Sequence, residues 1–377
     1  MRIVWKIPLF KMYWDEDDVN AVSEAIRSGM NWAVGPNVSK FEEEIAKYIG
    51  RKYCLTFNSG TSALHAALLA HGIAPGDEVI VPSFTFIATA NAPMFVGAKP
   101  VFADIEETTF GLDPEDVVER ITPKTRAIMP IHYGGCPCKI QEMREIADDH
   151  DLILVEDAAE AFGASINGRN VGTFGDSAMM SFCQNKIITT GEGGAIVTDS
   201  REVYEKMKLI RSHGRLETAD YFSTTAVMDY VTLGYNFRMS NITAALGLSQ
   251  LSKVNDIISM RRADAAYYIQ RLRSEVPDCI ISEPPDDYFH VYQLFSIRVR
   301  DRDALMHHLE NRGIMTKIYF PPVHCTYFYQ SLANGSYNLP ITEKISEETL
   351  SLPFYPGISR SEIDYVIDSI KEFYGVV

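Results

Sequence analysis

Leu152-Ile153-Leu154-Val155-Glu156-Asp157-Ala158-Ala159-Glu160 is the stretch that decides the fold class. Four consecutive apolar residues are too few for a buried helix and suit a strand covered on both faces. The run ends abruptly in acids. A carboxylate at the carboxyl end of a parallel strand stands where open α/β sheets bind ligands. Similar short apolar runs flank it on both sides: Tyr53–Phe57, Val79-Ile80-Val81, Pro100-Val101-Phe102, Ala127-Ile128-Met129, Ala178–Phe182 and Ala195–Thr198. Helical patterns such as Ile140–Asp149 lie between several of them. This alternation predicts an α/β protein with a mostly parallel central sheet flanked by helices.

Ser181-Phe182-Cys183-Gln184-Asn185-Lys186 follows one of these runs, and Thr189-Thr190-Gly191-Glu192-Gly193-Gly194 opens the next. The pattern reads as strand, loop, strand, with Lys186 in the loop. Burial favours the uncharged form of an amine, and an uncharged amine can attack a carbonyl to give a Schiff base. Most lysines are solvated surface groups, so Lys186 by itself decides nothing. Asp157 alone reads equally well as a helix N-cap or as the partner of a protonated ring nitrogen. A third stretch, Asn58-Ser59-Gly60-Thr61-Ser62, lies between a strand pattern and the strong helix former Ala63–Ala70. Glycine there lets the backbone approach an anion, and a helix N-terminus offers free N–H donors. An ordinary strand–helix turn with a Ser/Thr cap has the same wording.

Taken together, these segments resemble the DegT/DnrJ/EryC1/StrS family of pyridoxal-phosphate-dependent nucleotide-sugar aminotransferases. Asn58–Leu64 resembles its phosphate loop. Pro82-Ser83-Phe84-Thr85-Phe86 resembles the segment whose aromatic residue covers the cofactor ring. Glu156-Asp157-Ala158-Ala159 and Asn185-Lys186 match the pyridinium-binding acid and the Schiff-base lysine. Gly234–Asn241 resembles a segment that reaches the partner subunit's site, and Leu352–Gly357 also fits. Within the family, the wording around Lys186 is most like the GDP-perosamine synthase branch.

The resemblance implies an aspartate-aminotransferase-type fold, pyridoxal 5′-phosphate as cofactor and pyridoxamine phosphate as its aminated form. It implies L-glutamate as amino donor and a nucleotide-linked keto-6-deoxyhexose as acceptor, aminated at C4, in polysaccharide or O-antigen biosynthesis. By resemblance Lys186 and Asp157 are catalytic. Gly60, Thr61, Phe86, Glu160, Ser181 and Asn236 complete the cofactor contacts, with Ser62 a further donor and Asn236 reaching across a homodimer interface. Phe84 has the opposite strand parity to Phe86 and faces the core. Glu160 departs from the glutamine of many relatives; beside a ring phenolate it either holds a proton or turns away. His324, Tyr319 and Trp32 are the candidate substrate contacts. The alternatives are amination at C3, a sugar dehydratase, or a regulator that keeps the cofactor as a ligand. Dehydratases of this scaffold replace the lysine by histidine, and residue 186 is lysine.

Composition agrees with a soluble enzyme. The 377 residues exceed one ordinary core, which predicts two domains, 1–250 and a smaller α+β unit, 251–377. Within the latter, Val254–Arg273 and Arg302–Arg312 read as helices, and Phe295–Arg300 and Met315–Phe320 as strands. Near the other end, 15–28 reads as a helix with Val19, Val22 and Ile26 on one face, and 38–49 as a second helix. A net charge of −15 argues against nucleic acid or an anionic membrane as partner. No apolar run reaches the roughly 18 residues of a membrane span. Lys6 and Pro8 interrupt the start where a signal peptide is apolar, so a cytoplasmic location is expected. The six cysteines (Cys54, Cys136, Cys138, Cys183, Cys279, Cys325) lack the paired spacing of a structural zinc site, so no metal is expected.

Overall fold

The computed structural model describes residues 5–216, 224–225, 227–332 and 337–376. The elements run α1 (Glu16–Arg27), α2 (Pro36–Ile49), β1 (Tyr53–Phe57), α3 (Gly60–Ala70), β2 (Glu78–Pro82), α4 (Ile87–Phe95), β3 (Lys99–Ala103), α5 (Pro114–Arg120) and β4 (Thr125–Ile128). Next come α6 (Ile140–Asp149), β5 (Ile153–Asp157), β6 (Ser165–Ile166), β7 (Arg169–Asn170), β8 (Ser177–Ser181), β9 (Gly194–Thr198), α7 (Arg201–Arg211), α8 (Asn241–Ser252) and α9 (Val254–Glu275). The remainder is β10 (Tyr288–Phe289), β11 (Ser296–Arg298), α10 (Arg302–Asn311), α11 (Tyr327–Leu332), α12 (Pro340–Glu348), β12 (Thr349–Ser351) and α13 (Arg360–Tyr374).

Seven strands form the central sheet in the order β1-β9-β8-β5-β4-β2-β3. Strands β3, β2, β4, β5 and β8 pair in parallel, whereas β9 is antiparallel to both β8 and β1. The reversal follows from the connection. Parallel neighbours need a crossover element, and residues 182–193 between β8 and β9 contain no helix or strand. The apolar runs serve both faces by period two. Val79, Val81 and Val155 pack with Leu64 and Leu68 of α3, whereas Ile80 and Leu154 pack with Val117 of α5 and Ile140 and Met143 of α6. A third cluster joins Tyr268 and Leu272 of α9, Leu305 and Leu309 of α10, and Ile363, Val366 and Ile370 of α13. Ile7 belongs to it as well, held by backbone hydrogen bonds to Gly313 and Met315.

Two sequence expectations change. Helix α1 buries Asp18 and Ala25, while Val19 and Ile26 stay nearly half exposed. Asp18 is drawn inward because Gln250 Nε2 and Lys253 Nζ lie 2.8 and 2.9 Å from its Oδ2. That pins the helix rotation and leaves the Val19/Ile26 face uncovered by this chain. Residues 315–320 form no strand; one antiparallel bridge joins Lys317 to Ser351. Pro321 and Pro322 follow, and neither can donate to a ladder. The segment instead runs along the wall of the main cavity. Among the described residues, no helix is long and apolar enough to cross a membrane.

Candidate active site

The carboxyl ends of β5 and β8, the start of α3 and the loop after β2 converge on one cavity of about 680 Å³. Asp157 ends β5. Its backbone N–H donates to Pro130 and its carbonyl accepts from His132, so the residue is held like another rung of sheet. Its side chain is 3% exposed. Oδ2 accepts from Thr89 Oγ1 at 2.7 Å and Oδ1 from the Ala159 N–H at 3.1 Å. Burial pushes this carboxyl above the ordinary carboxylate range, and the two hydrogen bonds offset that only in part. The neighbouring Glu156 faces the other way. It accepts N–H donors from Gly172, Phe174 and Gly175, and its Oε2 lies 3.2 Å from His132 Nε2. Burial works to raise it, but His132 and the amides prevail and hold it below the usual range.

Lys186 lies in the β8–β9 loop. That loop continues the hairpin through Phe182 N–H to Gly193 O, and is tied down where Gln293 Nε2 donates to the Asn185 carbonyl. Lys186 Nζ is 3.2 Å from Glu160 Oε1. Glu160 Oε2 accepts from Gly134 N–H at 2.8 Å. Glu160 therefore faces the cavity, fixed at one oxygen by a backbone amide and at the other by the lysine.

The candidate anion cradle is the start of α3. Ser59 caps the helix, its Oγ accepting from Ser62 N–H at 3.1 Å, while Ser62 Oγ donates to Asn58 Oδ1 at 2.6 Å. Ser62 is thus occupied. The N–H groups of Gly60 and Thr61 make no hydrogen bond within the described residues, as expected of a first helical turn. A Cβ on Gly60 would come within 2.9 Å of Met179 Sδ and 3.4 Å of Ser181 Cβ, so glycine keeps the close approach of α3 to β8. Ser181 and Thr61 both line the cavity. Phe84 is fully buried against Phe110 and Tyr133, which contributes about 2–3 kcal/mol. Phe86, two residues on, is 57% exposed and lines the cavity.

Tyr319 lines the cavity too, but His324, Trp32 and Asn236 do not. His324 is buried on the far side of its segment, with Nδ1 2.6 Å from Ser83 Oγ and Nε2 3.3 Å from Glu343 Oε1. Trp32 is half exposed and donates from Nε1 to the Ile26 carbonyl at 3.2 Å. Asn236 is exposed; its carbonyl accepts from Asn58 Nδ2 at 3.3 Å, beside the cradle but outside this chain's cavity. Sequence reasoning missed Thr89, Phe10 and Lys317. Thr89 had a faint signal, the i, i+4 spacing of Thr85 and Thr89, whose hydroxyls are 2.7 Å apart. Phe10 and Lys317 had none, because chain segments remote in sequence bring them to the cavity.

The arrangement places an amine, a buried acid, the amide-bearing start of a helix and an exposed aromatic face around one space. Comparison with known proteins agrees with it. The model of the DegT/DnrJ/EryC1/StrS aminotransferase family matches residues 13–371. GDP-perosamine synthase of Escherichia coli O157:H7 is 37% identical over 371 residues, 98% of each chain. The protein of the same name from Vibrio cholerae is 36% identical, covering 98% of this chain and 100% of its own. The X-ray crystal structure of S. venezuelae DesV in complex with a ketimine intermediate superposes with a TM-score of 0.90 at 35% identity, over 98% of this chain and 99% of that one.

Proposed function

Because the chain belongs to the DegT/DnrJ/EryC1/StrS aminotransferase family, we propose that it moves an amino group from L-glutamate to C4 of a nucleotide-linked 4-keto-6-deoxyhexose, using pyridoxal 5′-phosphate. The observation that carries this reading is the meeting of Lys186 and buried Asp157 on one cavity wall, beside the unpaired first-turn amides of α3. These residues fit the cofactor. Asp157 has no cationic partner at hydrogen-bond distance among the described residues and would gain one from a pyridinium. Gly60, Thr61 and Ser181 suit a phosphate, and the exposed face of Phe86 suits an aromatic ring. When bound, the cofactor supplies an aldehyde for an amine and a ring that takes up electron density.

The chain's own groups then divide the work. Lys186 Nζ would hold the aldehyde carbon and, once released, move a proton at the reacting carbon from a tethered position. Asp157 would hold a protonated ring nitrogen. Glu160, anchored by Gly134, stands 3.2 Å from the amine and would be its hydrogen-bond partner when it is free. The same reading divides the chain into a cofactor-binding domain, 1–250, and a smaller one, 251–377, supported by the separate apolar cluster of α9, α10 and α13.

A product assay tests the activity. With L-glutamate and a panel of nucleotide-linked ketohexoses, the 4-keto-6-deoxy substrates are expected to yield the 4-amino sugar. Exclusive turnover of 3-keto sugars would move amination to C3, and no turnover of any ketohexose would end the reading. The names of the perosamine synthase relatives favour GDP as the nucleotide.

Assembly belongs to the same proposal. Leu233 is 77% exposed, and Tyr230, Val231 and the α1 residues Val19 and Ile26 are also uncovered, close in sequence to Asn236 or the N-terminal helix. Exposed apolar groups of this kind support an interface reading. A homodimer whose partner supplies Asn236 to each cavity would cover them. Sedimentation should show a dimer; a fully active monomer would refute the shared site.

A further inference from the structure

We propose that Lys317 is the side chain that receives the diphosphate of the nucleotide-linked substrate; this rests on the activity proposed above. The charges on the cavity wall motivate it. Among the described residues, three acids line it, Asp157, Glu160 and Glu192, against two cations, Lys186 and Lys317. The cofactor's phosphate adds further negative charge. A diphosphate entering this space is repelled unless a cation meets it. Lys186 is held by Glu160 at 3.2 Å. Lys317 forms no salt bridge among the described residues, and its side chain is exposed.

Its backbone is fixed nonetheless. Lys317 N–H donates to Ser351 O at 3.1 Å and Ser351 N–H donates back to Lys317 O at 2.9 Å, which rivets the residue to the edge of β12. The stem runs beside Tyr319, with Nζ 4.8 Å from the ring centroid. An ammonium on an anchored backbone, aimed by an aromatic ring and left without a carboxylate, is suited to an anion that comes and goes. Tyr319 and Phe320 next to it also line the cavity, as does Phe10 from the N-terminal segment, which offers apolar surface beside the charge. Charge-assisted contacts of this kind are strong enough to steer and position a ligand and are weakened by salt.

The test uses the cofactor-loaded enzyme and the variants Lys317→Met and Lys317→Arg. Lys317→Met is expected to raise KM for the nucleotide-linked sugar, and Kd for the free nucleoside diphosphate (GDP, UDP and dTDP each measured), by about tenfold or more. KM for L-glutamate should change less than about twofold, and the salt dependence of the sugar-nucleotide KM should flatten. Lys317→Arg should stay within about threefold of wild type, since it retains the charge. Unchanged Kd for the nucleoside diphosphate in Lys317→Met overturns the assignment. So does a rise confined to the glutamate KM, which would place the donor's carboxylate there instead. If wild-type enzyme binds none of the three nucleoside diphosphates, the underlying activity fails along with it; binding by wild type that the variant retains removes Lys317 alone.

Discussion

Lys186→Ala should lose transamination altogether, and borohydride reduction of the loaded wild-type protein should add the cofactor mass to the peptide that contains Lys186. Two features make this the largest single effect. Among the described residues, the amines that line the cavity are Lys186 and Lys317, and the latter belongs to the separate 317–321 segment. Its loop is also held independently of the amine, by the Gln293 contact to the Asn185 carbonyl and by the Phe182–Gly193 pairing. The alanine variant should therefore fold and keep its thermal midpoint within a few degrees in the cofactor-free state. Removing the amine leaves Glu160 facing the cavity without its 3.2 Å partner, and the Gly134 amide still satisfies one of its oxygens. A properly folded Lys186→Ala protein that turns over at the wild-type rate would dispose of the proposed mechanism.

Asp157→Asn should cost about 10²–10³ in rate, the magnitude typical of losing one placed electrostatic group. A loss below about threefold would remove the acid from the mechanism. Stability should move the other way. In the cofactor-free protein, burial raises the Asp157 pKa above its unfolded value. The folded state then binds the proton more tightly than the unfolded one. Stability is consequently lost as pH rises from the unfolded value through the folded one. At neutral pH the carboxylate is thus a burden on the empty protein. Asparagine fills the same space, its carbonyl accepting from Ala159 N–H and its NH₂ donating to Thr89 Oγ1, with no charge to bury. The cofactor-free variant should be at least as stable as wild type at pH 7, and its stability should respond less to pH as pH rises above about 4. Calorimetry of both proteins without cofactor checks this. A variant that is clearly less stable would mean that the carboxylate is held by structure rather than kept for a ligand.

The central sheet was legible because its strands are apolar runs buried on both faces. From Tyr53–Phe57 to Gly194–Thr198 the central strands are buried along nearly all their length, with Lys99 and Arg126 the exposed exceptions. The strand–loop–strand reading around Lys186 held for the same reason, and with it the absence of a helical crossover that makes β9 antiparallel. The wording of the Asn58, Glu156 and Asn185 segments also carried the family, since it depends on local order in the chain.

Tertiary structure decided what local wording cannot encode. Val19, Val22 and Ile26 mark an apolar stripe, but which face α1 turns inward was set by Gln250 and Lys253 gripping Asp18. The segment Met315–Phe320 has strand composition, yet its neighbour's edge and two following prolines leave it one bridge long. His324 reads as a site residue by its type and surroundings, but Ser83 and Glu343 take both ring nitrogens away from the cavity. Glu160 had two readings in the sequence, and its fate depended on Lys186 and on Gly134, an amide 26 residues earlier in the chain. Propensity and pattern act over a few residues, and so they determined the strands and the strand–helix turn that opens α3, and they singled out Lys186 and Asp157 as candidates. The pairing partner of each charge and the rotation of each helix depend on contacts between remote segments, which exist only once the chain has closed on itself.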